Sequence, residues 1–262
     1  MKLAVINPVV NLPQNVSDAM KPYLASLTRT DTEIEYVTLK HGFPSVESEM
    51  QGMFNGTEIV REALAAAQRG ADGIFVNCFD DPGVQALREM IEVPVFGGYV
   101  PSVLTALSLG GRIGIITTDY DGIANEERKA RTEGFDGKIA AIIPADMMVG
   151  EVFGGDGVDE RLADVCSQMH DEYRINTVIL GCTGMQRAVA KLRKRLADAH
   201  YPVTVVEPLA AGVTHLERMV TLGMTNSLHI GITLEGLVDQ NARPQHLSKA
   251  RSIKQAGGAR RA

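Results

Sequence analysis

The chain has 262 residues, 45% of them apolar and 22% charged, the balance of a soluble globular protein large enough to bury a core. Its net charge of −6 conceals an asymmetry: residues 241–262 hold six Lys and Arg and no acid, so the rest carries about −12. An acidic body with no tryptophan and 5% aromatics argues against nucleic acid and anionic membrane as partners.

The first expected strand, "LAVIN" (3–7), runs into a polar loop (6–17) that carries Asn7, then a helix near 16–28. A strand at 33–38 and a helix near 57–69 follow, then the apolar strand "GIFVNC" (73–78), which ends in Asn77 and Cys78. Helices near 82–91 and 100–109 flank a short strand at 94–97. The second half repeats the scheme, with strands at 112–117, 138–143, 177–182 and 202–206. Its helices are expected near 121–133, 158–173, 185–199 and 208–222. Strands that are apolar throughout, alternating with helices, predict βαβ units and mostly parallel sheets buried on both faces.

The halves also resemble one another. "KLAVINP" (2–8) and "RIGIITT" (112–118) open at an offset of 110 residues, and the strand-end cysteines Cys78 and Cys182 lie 104 apart. Each is followed by a helix and a Pro-Val strand. The expectation is two similar flavodoxin-like α/β lobes with a cleft between them. Lobe 1 is read as 1–98, lobe 2 as 99–207, and the helix at 208–223 is a candidate to return to lobe 1. Residues 224–262 form an extension with a basic tail, most simply a solvated terminus.

Three cysteines, Cys78, Cys166 and Cys182, are too few for a disulfide framework. The chain opens directly on a strand, and no apolar run reaches the ~18–20 residues of a membrane helix. A cytoplasmic, reducing setting with free thiols is therefore expected.

Thiols at strand ends have a chemical use. In parallel α/β sheets ligands bind beyond the carboxyl ends of the strands, where helix amino termini favour anions and thiolates. Two lobes facing each other would aim Cys78 and Cys182 into one cleft from opposite sides. Inversion of a carbon acid needs that arrangement, because one group takes the proton from one face while the other supplies one to the opposite face. Backbone N–H groups around "GCTG" (181–184) would stabilise the enolate-like intermediate. A lone strand-end cysteine is more often a small buried hydrophobe, but two at matching repeat positions favour function.

Other residues read more plainly. Cys166 sits on an expected helix and is assigned to packing. Asp80 or Asp81, before Pro82, is assigned to capping the next helix. No metal-ligand spacing is present, and "GGDG" (154–157) lacks the ending of a phosphate loop, so it is read as a helix cap. The six histidines do not cluster, and His215, on the helix that follows "VEP" at a strand tip, is the least dismissible of them.

"NCFDDPG", "ILGCTGM" and the preceding "INP" together resemble the Asp/Glu/hydantoin racemase superfamily over roughly residues 3–223. "CFDDPG" is similar to the hydantoin and allantoin racemase branch; amino-acid racemases typically have Asn-Thr after the first cysteine. The resemblance implies two flavodoxin-like lobes, no cofactor, no metal, homo-oligomers and two catalytic cysteines, carried here by Cys78 and Cys182. This chain departs from the branch at Val9-Val10-Asn11 after "INP" and at "GYVPS" (98–102) after "PVFG", loops that line the pocket in the family, and at Thr183 after the second cysteine. Candidates for holding the substrate are Asn7, Asn77, Phe79, Thr117, Thr118, Thr183 and Gly184. The expected activity is racemisation of a 5-substituted hydantoin or allantoin. Alternatives are an aspartate- or glutamate-type racemase, a maleate-type cis-trans isomerase, and a non-catalytic binder of small anions.

Overall fold

The computed structural model describes residues 1–154 and 157–227. Its strands form two parallel sheets of four. The first holds β1 (Lys2–Asn7), β2 (Glu33–Thr38), β3 (Gly73–Val76) and β4 (Val95–Phe96), in the order β2-β1-β3-β4. The second holds β5 (Ile113–Thr117), β6 (Ile139–Pro144), β7 (Thr177–Leu180) and β8 (Thr204–Val206), in the order β6-β5-β7-β8. The two-lobed α/β architecture with parallel sheets is the one the sequence predicts. Strands β3, β5 and β7 are buried along their whole length, as continuous apolar runs require.

The helices are α1 (Gln14–Leu27), α2 (Glu49–Gln68), α3 (Val84–Met90), α4 (Tyr99–Leu109), α5 (Asp121–Thr132), α6 (Val149–Gly154), α7 (Val158–Tyr173), α8 (Val189–Asp198) and α9 (Pro208–Thr221). Helices α2 and α3 cover one face of the first sheet through Ile59, Ala63, Val84 and Leu87. Helices α7 and α8 cover the matching face of the second through Leu162, Met169 and Leu192.

The other two faces are covered by exchange. Helix α4 follows β4, yet Tyr99, Val103 and Ala106 pack with Ile113, Ile115, Ile179 and Val206 of the second sheet. Helix α9 follows β8 and lays Leu209, Val213 and Leu216 on Leu3, Val5 and Phe75 of the first. Each half of the chain thus supplies a helix to the other lobe. The approach of α9 to β3 depends on Gly212, where a Cβ would lie 2.0 Å from the Phe75 ring. Gly212→Ala is therefore expected to cost about 1–3 kcal/mol through overpacking. A lower urea midpoint with an unchanged slope would show it.

Three elements depart from expectation. Helix α2 begins at Glu49, eight residues before the expected start, on a reciprocal cap. Ser48 Oγ accepts from the Gln51 N–H (3.3 Å) while Gln51 Oε1 accepts from the Glu47 N–H (2.8 Å). Gly52, Asn55 and Gly56 are poor helix formers and obscured this start. The helix expected at 185–199 opens as a 3₁₀ turn, Thr183–Ala188, before α8. The short α6 was not foreseen. Gly157 stands at the N-cap of α7 as expected, with no side chain to accept from the first-turn N–H groups. Gly155, Asp156 and the tail from 228 lie outside the described residues.

Candidate functional site

The carboxyl ends of the four central strands converge on one cavity of about 550 Å³ between the lobes. Asn7 closes β1, Cys78 follows β3, Thr117 closes β5 and Cys182 follows β7, and all four line it. Asn77, Phe79, Thr118, Thr183 and Gly184 border the same space. Every site residue predicted from the sequence is thus gathered at one place, though not all face it equally. Phe79 is buried, with its ring edge-on to Tyr99 at 5.3 Å.

Both thiols are half-buried. The backbone N–H of Asp80 beside Cys78, and those of Gly184 and Met185 beside Cys182, favour the charged form of each thiol. Donors of this kind are what a thiolate or a developing anion needs. The two strand tips are tied together: Thr183 Oγ1 donates to the Asn77 carbonyl at 3.0 Å, linking the residue after one cysteine to the residue before the other. The Cys78 carbonyl accepts from the Gly98 N–H at 2.9 Å, which fixes the loop to the start of α4.

The acidity of the thiols runs against the helix-terminus expectation. Burial pushes Cys182 up from 9.0 to about 11, and it pushes Cys78 up strongly, with the Asp80 carboxylate and Cys182 adding to the rise. The helix after Cys78 starts only at Val84, so its amino-terminal field does not offset desolvation. These groups are mainly protonated at neutral pH, and only a small thiolate fraction is available to act as base.

The remaining polar lining offers ligand contacts. Asn77 is 5% exposed and its Oδ1 has no protein partner. An unpaired buried acceptor beside a thiol is costly unless a ligand donor meets it. Asn7 is held by its Nδ2 donating to the Val9 carbonyl at 3.0 Å.

The aspartates behind Cys78 do not cap α3, whose N-cap is Gly83. Asp81 Oδ1 accepts from the Tyr99 N–H at 3.2 Å, so it serves α4 instead, and burial raises its carboxyl to about 7. Asp80 Oδ1 accepts from Asn125 Nδ2 at 2.6 Å and meets Lys129 Nζ at 3.0 Å, both on α5. These cross-lobe partners carried no local signal in the sequence. His215 packs edge-on against Phe96 at 4.7 Å and does not line the cavity, and Cys166 is buried in the second lobe's core. Among the described residues, no group of three or more His, Cys, Asp or Glu is arranged to hold a metal ion, and no helix is long and apolar enough to cross a membrane.

Comparison with known proteins agrees with this arrangement. The sequence is 29% identical over 230 residues to the hydantoin racemase of Pseudomonas sp. (strain NS671), covering 87% of this chain and 89% of that protein. The fold superposes on an allantoin racemase from Klebsiella pneumoniae with a TM-score of 0.79 at 26% identity, covering 87% of this chain and 90% of that one. Glutamate racemase from Francisella tularensis shares the fold more distantly, with a TM-score of 0.60 at 17% identity over 89% of this chain and 84% of that one. The Asp/Glu/Hydantoin racemase profile matches residues 3–216, a span that takes in both thiols, all of α4 and the first nine residues of α9, and the chain belongs to that family.

Proposed function

We propose that this protein is a racemase that inverts a carbon acid by proton transfer between two thiols, with a 5-substituted hydantoin or allantoin as substrate. The carrying observation is that Cys78 and Cys182 stand at equivalent strand ends of two lobes and line one cavity. One sulfur, as thiolate, takes the proton from the carbon between the carbonyl and the ring nitrogen. The C–H electron pair moves into the enolate. The other sulfur, as thiol, returns its own proton to the opposite face and leaves as thiolate, ready for the reverse reaction. Backbone N–H groups at Asp80, Gly184 and Met185 steady the sulfurs in their anionic form. The Asn77 side chain and the Thr117 and Thr118 hydroxyls are the groups assigned to the ring's polar atoms.

Charge favours a neutral ring over a dicarboxylate. The cavity is lined by Glu47, Glu49, Asp80, Asp119, Asp121 and Glu126 against two arginines, Arg128 and Arg131. An aspartate or glutamate monoanion or a maleate dianion would enter against that excess, whereas a hydantoin need not. Free thiols on all three cysteines fit a reducing, cytoplasmic setting.

Proton NMR in D₂O, run beside polarimetry, tests the reading. The panel holds a chiral 5-alkylhydantoin, allantoin, aspartate, glutamate and maleate, without added cofactor. Enzyme-dependent loss of a hydantoin's stereocentre signal together with its rotation is the expected result. Exchange confined to the amino acids, or conversion of maleate alone, would overturn the substrate assignment. Because burial raises both thiols, the rate is expected to climb about tenfold per pH unit from about pH 7 towards the Cys182 value of about 11, with substrate ionisation divided out. A flat profile over that range would mean that a low-pKa thiolate is at work instead.

A further inference from the structure

Lys129 enters from α5 in the second lobe and ends inside the loop that carries Cys78. Its Nζ donates to the Phe79 carbonyl at 2.8 Å and meets Asp80 Oδ1 at 3.0 Å and Glu126 Oε1 at 2.8 Å. It also lies 4.7 Å from the Phe79 ring centroid and 4.8 Å from that of Tyr99. The side chain is 14% exposed, so the ammonium spends its donors on these partners rather than on water.

A buried ion cluster is a poor way to gain stability, since well-packed apolar side chains usually do as well. What this ammonium holds is more informative. Phe79 and Asp80 are the two residues after Cys78, and the peptide between them carries the Asp80 N–H that favours the charged form of that thiol. The Cys182 sulfur is served instead by its own 3₁₀ turn, through Gly184 and Met185. The two thiols are therefore supported differently, one from within its lobe and the other from across the cleft.

We propose that Lys129 is a positioning residue for Cys78, fixing from the opposite lobe the Phe79–Asp80 peptide that follows the thiol and offsetting the Asp80 carboxylate beside it. The consequence for proton transfer rests on the two-thiol reading above; the effect on the thiol does not. The charged and titratable groups around Cys78 are Asp80 and Asp81 on its own loop, Arg88 on α3 acting on Asp81, Lys129 and Glu126 on α5, and Cys182 across the cavity. Removing the ammonium from this set leaves Asp80 and Glu126 without their cationic partner and disfavours the thiolate at Cys78.

The test is site-resolved alkylation with iodoacetamide, read by mass spectrometry across pH on the intact folded protein. In Lys129→Met, Cys78 is expected to react about tenfold more slowly relative to wild type at a given pH, equivalent to one pKa unit, while Cys182 is unchanged. Lys129→Arg, which keeps the charge, should recover most of the Cys78 rate. If the Met variant does not fold, Lys129→Gln keeps a donor for the Phe79 carbonyl without the charge and carries the same comparison. Equal changes at both thiols, an unmoved or faster Cys78, or no recovery with arginine would overturn the proposal. Alkylation needs no substrate. A normal alkylation pattern with no exchange in the NMR panel would thus reject the racemase reading and leave the role of Lys129 standing.

Discussion

Cys78→Ser and Cys182→Ser are each expected to stop inversion while leaving half of the exchange chemistry intact. A serine hydroxyl neither ionises in this range nor serves as a comparable base, so the altered face loses its proton carrier. General acid–base groups typically contribute about 10²–10⁴-fold, and inversion should fall by that order in each variant. The surviving thiol still reaches its own face of the substrate. In D₂O, Cys78→Ser should therefore wash deuterium into one enantiomer with retention, and Cys182→Ser into the other. The mirror-image pattern is the informative part, because a merely damaged pocket would slow both enantiomers together. Chiral chromatography with mass detection reads inversion and exchange in one experiment. Loss of all activity in one variant and none in the other would mean a single nucleophilic thiol, as in the isomerase alternative.

Asn55→Ala is expected to cost about 2–4 kcal/mol, because it strands several buried backbone groups at once. Asn55 is fully buried on α2, with Nδ2 donating to the Pro8 carbonyl at 2.8 Å and the Phe43 carbonyl at 3.1 Å. Its Oδ1 accepts from the Phe43 N–H at 2.7 Å. The chain turns beside it at Gly42, whose φ of +135° and a would-be Cβ contact of 2.6 Å with Asn55 Oδ1 both require glycine. This one amide pins together the loop after β1 and the loop before α2. Pro8, Val9, Val46 and Glu47 of those loops line the cavity. The substitution should thus lower the urea midpoint and also raise KM several-fold for whichever substrate is turned over. A loss below about 0.5 kcal/mol, the range of an indifferent surface change, would sink this account.

The strands and the strand-end thiols were legible because their signals are local. An apolar run that stops at Asn77-Cys78 or Gly181-Cys182 announces both the sheet and the position of the sulfur beyond it. The repeat then implied that two such sulfurs share a cleft. Residues whose roles depend on distant partners were not legible. Asn55 lies mid-helix, where the sequence offers no reason for an amide, and Lys129 looks like one more solvated charge on an amphipathic helix. Asp80 and Asp81 were misread for the same reason. "DDPG" has the form of a helix start, but the carboxyl partners lie on α4 and α5, more than fifteen residues away in the chain. The direction of the thiol shifts failed too, because a helix start can be guessed from sequence whereas the depth of burial cannot.

The exchange of α4 and α9 makes the molecule a single folding unit despite its two sheets. A break between Gly110 and Gly111 would leave the amino-terminal fragment holding a helix with no sheet beneath it, and its own sheet bare where Leu209, Val213 and Leu216 belong. The carboxy-terminal fragment would be bare where Tyr99, Val103 and Ala106 belong. Each piece is the other's missing wall, so the fragments should gain order only on meeting. The same interlock governs motion in the intact chain: the cleft cannot widen without flexing both crossover segments together.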